Sequence, residues 1–187
     1  MDKKLLGYTI FGALFTFLAG TLLHFTYEWS GNNFWVGLFS PVNESTWEHM
    51  KLLFFPMLFY SIVSCILFHL PSVKSMPEKA ETFFAHLKGR YPCICLGNAL
   101  GILLGTFSIP VLFYTYSGIL GTHCLWLDIA VFLFCAALGF LTVFYTAQKC
   151  TGKRIAGLIY TGLAVLLFCF LLFTVSPPDL GLFSATA

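Results

Sequence analysis

Charge is scarce in this sequence. Only 10% of its 187 residues are Asp, Glu, Lys or Arg, while 58% are hydrophobic. A chain of this length cannot hide that much apolar surface in one soluble core, which excludes an ordinary water-soluble domain. Several enzyme signatures are also missing: there is no P-loop, no GxSxG elbow, no dinucleotide-binding glycine fingerprint and no HExxH pair. No internal repeat is visible, which counts against the commonest transporter architectures. The seven cysteines are odd in number and lie mostly inside apolar segments, which argues against a disulfide framework. Cys93 and Cys95 form a C-x-C pair, but in a strict helix their thiols point about 200° apart, so a shared metal or redox role is set aside.

What the chain has instead is five long apolar segments, roughly 5–27, 50–70, 92–117, 124–145 and 155–175. Each approaches or exceeds the ~20 residues that cross ~30 Å of hydrocarbon at 1.5 Å per residue. They take up most of the sequence, so the expected fold is all-α: an integral membrane bundle of five transmembrane helices in one domain, residues 1–187. The first run is longer than the 7–15 residues of a cleaved signal's apolar region, and it lacks a lipobox cysteine or a clear cleavage site. It reads as a retained span. The expected partners are membrane lipids, and no nucleic acid is expected.

Orientation follows from the loops. Nine of the ten Lys and Arg residues fall on one side of the pattern: Lys3 and Lys4, then Lys74, Lys79, Lys88 and Arg90, then Lys149, Lys153 and Arg154. The other side holds Lys51 against Glu28, Glu44, Glu48 and Asp179, with Asp128 just inside the fourth span. The positive-inside rule therefore puts the N-terminus in the cytoplasm and the C-terminus outside the cell membrane. All four tryptophans, Trp29, Trp35, Trp47 and Trp126, fall at the outer boundary in the manner of an aromatic belt.

Two further patterns concern packing. Between the second and third spans, Ser75-Met76-Pro77 can start a helix that runs to Lys88, with Ala80, Phe83, Phe84 and Leu87 on one face. This predicts a short cytoplasmic amphipathic helix on the inner leaflet. Within the spans, Gly97, Gly101 and Gly105 form a small-residue stripe on the third, and Gly12, Thr16 and Gly20 form one on the first. Such stripes let backbones approach closely; the partner is either another helix of the chain or a second copy, giving a homo-oligomer. Pro110 is expected to kink the third span, and Asn98 to hydrogen-bond across helices.

Chemistry, if present, lies between the first and second spans. The stretch from Phe39 to Pro56 includes Ser40, Pro41, Asn43, Glu44, Ser45, Thr46, Trp47, Glu48, His49 and Lys51 at the mouth of a membrane helix. This segment closely resembles the signature of a family of small bacterial multi-pass membrane proteins known only as a domain of unknown function. The likeness extends, more weakly, to residues 116–121, to Asp128 and to Pro177-Pro178. It implies a bacterial origin and an all-helical membrane fold, and carries over no activity.

A purely structural reading covers much of this segment. Ser45-Thr46-Trp47-Glu48 is a capping box, Trp47 can anchor at the interface, and Lys51 can pair with Glu48 or snorkel outward. Capping does not explain the convergence of histidines and acids at one depth. His24 lies ~19 residues beyond Leu5, roughly 28 Å along the first helix, and so also reaches the outer boundary. His123 opens the fourth span on that side, with Asp128 about a turn and a half deeper. Imidazoles with carboxylates are the ligand set of Zn²⁺ and non-haem Fe²⁺, and an acid inside a bilayer is a functional candidate by default.

The site expected from sequence therefore has His24, His49, His123 and Asp128 as metal ligands, with Glu44 or Glu48 as the general base. Asn43, Ser45, Trp47 and Lys51 support them. One function class is a metal-dependent membrane hydrolase acting on a lipid or envelope substrate. Another is a small transporter moving an ion or proton past the same acids. A non-catalytic membrane assembly protein is the background case.

Overall fold

The computed structural model describes residues 2–69, 78–150 and 152–184. Among them there is no strand, and they form seven α-helices and two short 3-10 turns. The α-helices are α1 (Lys3–Trp29), α2 (Phe34–Gly37), α3 (Thr46–His69), α4 (Glu78–Lys88), α5 (Tyr91–Leu120), α6 (Leu125–Lys149) and α7 (Ala156–Val175). Five of them, α1, α3, α5, α6 and α7, are long and apolar enough to cross a membrane. Their outward surfaces are correspondingly oily: Phe11, Leu14, Leu18 and Leu22 of α1 are all exposed, an apolar band that a soluble monomer would not carry.

Alternating direction gives the bundle two ends. One end, here the basic end, carries the start of α1, helix α4, the start of α5 and the end of α6. The other, the tryptophan end, carries Trp29, Trp35 and Trp126, which are 69%, 70% and 76% exposed. Trp47 departs from the expected belt. It is 6% exposed and packs on Phe170 of α7 and on Phe183 of the turn Gly181–Phe183. It is a core residue, because the C-terminal turn folds back over it.

Small residues decide which helices touch. A Cβ added at Gly101 would lie 2.5 Å from the Gly139 carbonyl oxygen of α6, and one at Gly97 or Gly105 would lie 3.0 Å from the Val143 or Cys135 carbonyl. Only glycine permits this approach of α5 to α6. Of the two partners open to this stripe, another helix of the chain or a second copy, α6 of the same chain lies against all three glycines. The stripe on α1 works the same way: a Cβ at Gly20 would lie 2.5 Å from the Leu52 carbonyl oxygen. Pro56 leaves that carbonyl without its intrahelical donor. Asn98 makes the expected bridge, donating to the Tyr8 hydroxyl (2.9 Å) and to the Ser61 hydroxyl (3.1 Å), and so ties α5 to α1 and α3.

At the basic end, α4 docks on α1. Lys4 Nζ donates to the Thr82 carbonyl (2.9 Å), the Asp2 carboxylate sits 2.7 Å from His86 Nε2, and Leu87 is fully buried. The expected helix start at Ser75–Pro77, and Leu70 at the end of the second span, lie outside the described residues. Here too the structure corrects the reading of the cysteines. Cys93 is joined to Cys150 in a disulfide, with Cα atoms 5.1 Å apart. The two thiols of the C-x-C pair do diverge, as helical geometry requires. Each then meets a cysteine from a different helix, which spacing along α5 could not reveal.

Candidate functional site

The site is built at the tryptophan end, where the chain leaves α2 and enters α3. The turn before α3 is knitted by its own polar residues. Asn43 Oδ1 accepts from the Ser45 N–H (2.9 Å), and Ser45 Oγ accepts from the Glu48 N–H (3.3 Å). That second bond is half of the expected capping box. The reciprocal half is absent, because the Glu48 carboxylate turns elsewhere. Its Oε2 accepts from the Val42 N–H (3.0 Å) and lies 2.6 Å from Lys51 Nζ.

Lys51 explains that turn. Its side chain is fully buried, and the Glu48 side chain is 3% exposed. The ammonium donates to Glu48, to Thr174 Oγ1 of α7 (2.6 Å) and to the Gly37 carbonyl of α2 (3.1 Å), which uses all three of its protons. A buried charge is tolerable only when paired and hydrogen-bonded in this way. The pair therefore clamps α2, α3 and α7 together and fixes the segment that carries Glu44. Glu48, one of the two general bases expected from sequence, thus has its carboxylate engaged by Lys51 and the Val42 N–H and is nearly buried.

Glu44, His49 and His24 come together beside this clamp. One ligand atom from each can be chosen so that all three lie within 4.8 Å of one another. Glu44 Oε2 is 3.3 Å from His49 Nε2, and the two imidazole rings have centroids 5.3 Å apart. His49 is oriented from behind, with its Nδ1 2.9 Å from the Ser45 carbonyl, which itself can only accept. The Nδ1–H can thus donate to that carbonyl, which leaves Nε2 facing the Glu44 carboxylate, to which it can donate when protonated and beside which it could ligate a metal when not. His24 has a buried Nδ1 with no hydrogen-bond partner. Two ligands each ~2.0–2.1 Å from a tetrahedral ion sit about 3.4 Å apart, close to the observed separation of Nε2 and Oε2.

His123 and Asp128 do not join this group. Asp128 Oδ2 lies 3.4 Å from His123 Nδ1, and its other oxygen accepts a short hydrogen bond from the Tyr116 hydroxyl of α5. They form a second cluster at the α5–α6 connection. The expectation that all these ligands share one site is corrected accordingly: residues at the same end of a bundle still point in different directions around it. Tyr116 and Thr174 are partners that the reading of single segments misses. Tyr116 stands 12 residues from Asp128, and Thr174 stands 123 residues from Lys51.

A family profile matches residues 2–187, nearly the full length of the chain. The chain belongs to the family of unknown function DUF6512. No curated protein and no solved structure matches it. Within DUF6512 this chain is thus an all-helical protein with five helices long and apolar enough to cross a membrane.

Proposed function

We propose that the protein is a bacterial cell-membrane protein, with its N-terminus in the cytoplasm and its C-terminus outside, that binds one Zn or Fe ion on its outer face through His24, Glu44 and His49. The nine-to-one division of basic residues between the two ends supports the orientation. In this orientation α4 lies along the inner leaflet, against the start of α1. The observation that carries the metal reading is the convergence of two imidazoles and a carboxylate, with the Nδ1–H of His49 held by a backbone carbonyl. That set suits Zn²⁺ and non-haem Fe²⁺, and three protein ligands leave a further coordination position. Bound there, the ion would supply a Lewis acid and an activated water.

Hydrolysis of a lipid or envelope substrate is the reaction class that fits such a centre at a bilayer surface. Transport is the weaker reading. Glu48 is locked to Lys51 and Asp128 to Tyr116 and His123, so the acids proposed for an ion route are separately engaged. Asn98, Tyr8 and Ser61 at the basic half likewise hydrogen-bond one another.

Elemental analysis of full-length protein purified in detergent tests the metal reading. It should carry Zn or Fe near one per chain, and His24→Ala or His49→Ala should lower that content at least about tenfold. Glu44→Gln should lower it less, while His123→Ala and Asp128→Asn should leave it unchanged. A metal-free chain whose thermal stability responds to neither chelator nor added Zn or Fe would leave capping and packing as the whole account of the segment.

A further inference from the structure

Cys65 of α3 and Cys95 of α5 are both free and both partly exposed, and their sulfurs lie 3.0 Å apart. Each sits one turn from a helix end at the basic side: four residues before the last residue of α3 and four after the first of α5. At 1.5 Å per residue that is about 6 Å from the helix end, and both side chains keep part of their surface exposed. A disulfide needs its sulfurs about 2.05 Å apart, so closure here takes about 1 Å of movement. Around the other side of α5, Cys93 already holds Cys150. Helix α5 thus presents one sulfur pair to α3 and another to α6.

We propose that Cys65 and Cys95 are a redox-active dithiol, oxidised to a disulfide by a low-molecular-weight disulfide and restored by the corresponding thiol. The Cys65 thiolate attacks one sulfur of the small disulfide, forming a mixed disulfide and releasing one small thiolate. Cys95 then attacks the Cys65 sulfur and displaces the second small thiolate, which closes the Cys65–Cys95 bond. Two protein thiols are oxidised, one small disulfide is reduced to two thiols, and the two protein protons end on the released thiolates. The pairing itself stands on geometry. Only the compartment rests on the orientation proposed above, which puts this end in the cytoplasm, where disulfides are transient and catalytic or redox-sensing rather than structural. Oxidation would tie α3 to α5 across a loop that contains all of α4.

The test uses detergent-purified full-length protein, treated with glutathione disulfide, alkylated and mapped by mass spectrometry. The expected result is loss of alkylation at Cys65 and Cys95 together, a Cys65–Cys95 linked peptide, and recovery of both thiols in excess reduced glutathione. In Cys65→Ser, Cys95 should stop at the glutathione mixed disulfide, with the Cys93–Cys150 bond unchanged. Full alkylation of both thiols in the treated wild-type chain overturns the proposal. So does glutathione on each thiol without a link between them. Because no membrane is involved, an error in the orientation leaves this result untouched and shows instead in vesicle labelling.

Discussion

Lys51 is the residue on which the tryptophan end depends. With its side chain fully buried and its three protons placed on Glu48, Thr174 and Gly37, its removal strands a buried carboxylate. Lys51→Met should cost about 3–5 kcal/mol of stability, the usual consequence of breaking one side of a buried pair. Adding Glu48→Gln should recover a large part of that, because no uncompensated charge remains and the amide can still accept from the Val42 N–H. Thermal unfolding in detergent measures both. Equal destabilisation in single and double variants would mean that the pair is not a clamp. Residue type and distance along a helix were enough to nominate His24, Glu44 and His49 from sequence, since both bear directly on which end of the bundle a side chain reaches. They were not enough for Asp128 or His123, because nothing in a single span says in which direction round the bundle it faces. The burial of Glu48 is illegible for a related reason: its partner Lys51 lies three residues away, but the depth of the pair depends on α2 and α7.

At the scale of helices, the docking of α4 on α1 turns on one carboxylate. Asp2 caps α1, accepting from the backbone N–H groups of Lys4 (3.1 Å) and Leu5 (3.2 Å), and it faces His86 of α4 (2.7 Å) and Arg90 of the following turn (3.5 Å). Burial pushes its pKa up, but the hydrogen bond from His86 and those from the backbone outweigh this and hold it below the ordinary carboxylate value of 3.8. A lowered folded-state pKa means that the stabilisation is complete above the unfolded value and is lost as pH falls through the folded one. The α4–α1 contact should therefore persist from neutral pH to about 4 and loosen below it. Spin labels at the exposed positions Lys3 and Ala85 would report this as a lengthening distance. Asp2→Asn keeps a capping oxygen but lacks the charge, so it should show the longer distance already at neutral pH. An unchanged distance in that variant would assign the docking to Leu87 and Lys4 alone. The existence of α4 and of five helices long enough to span a membrane is legible from periodicity and length, and the Gly97–Gly101–Gly105 stripe marks a close contact. That α6 fills the stripe was not legible, because the small residue facing it, Gly139, belongs to a span with no comparable pattern. Trp47 was misplaced because the segment that covers it, ending in Phe183, is remote in sequence and short.

For the molecule as a whole, orientation decides what each end can do. Five helices that each cross the membrane would place the two termini on opposite sides, and the basic residues gather where α1 begins, where α4 meets α5 and where α6 ends. Translocating that many cations is disfavoured, so this end should stay inside. Single cysteines introduced at Ser30 and Ser184 of a cysteine-free chain should react with an impermeant maleimide in intact cells. Cysteines at Ser75 and Thr151 should react only after the membrane is opened. The disulfide Cys93–Cys150 sharpens the test, because it lies at the end that the charges assign to the reducing side. If Ser75 is labelled from outside, that bond becomes an ordinary structural disulfide of an oxidising compartment. The His24–Glu44–His49 site would then face the cytoplasm, where envelope substrates are out of reach. If Ser75 is protected, the Cys93–Cys150 bond lies in a compartment that reduces structural disulfides, and the end that carries His24, Glu44 and His49 faces out.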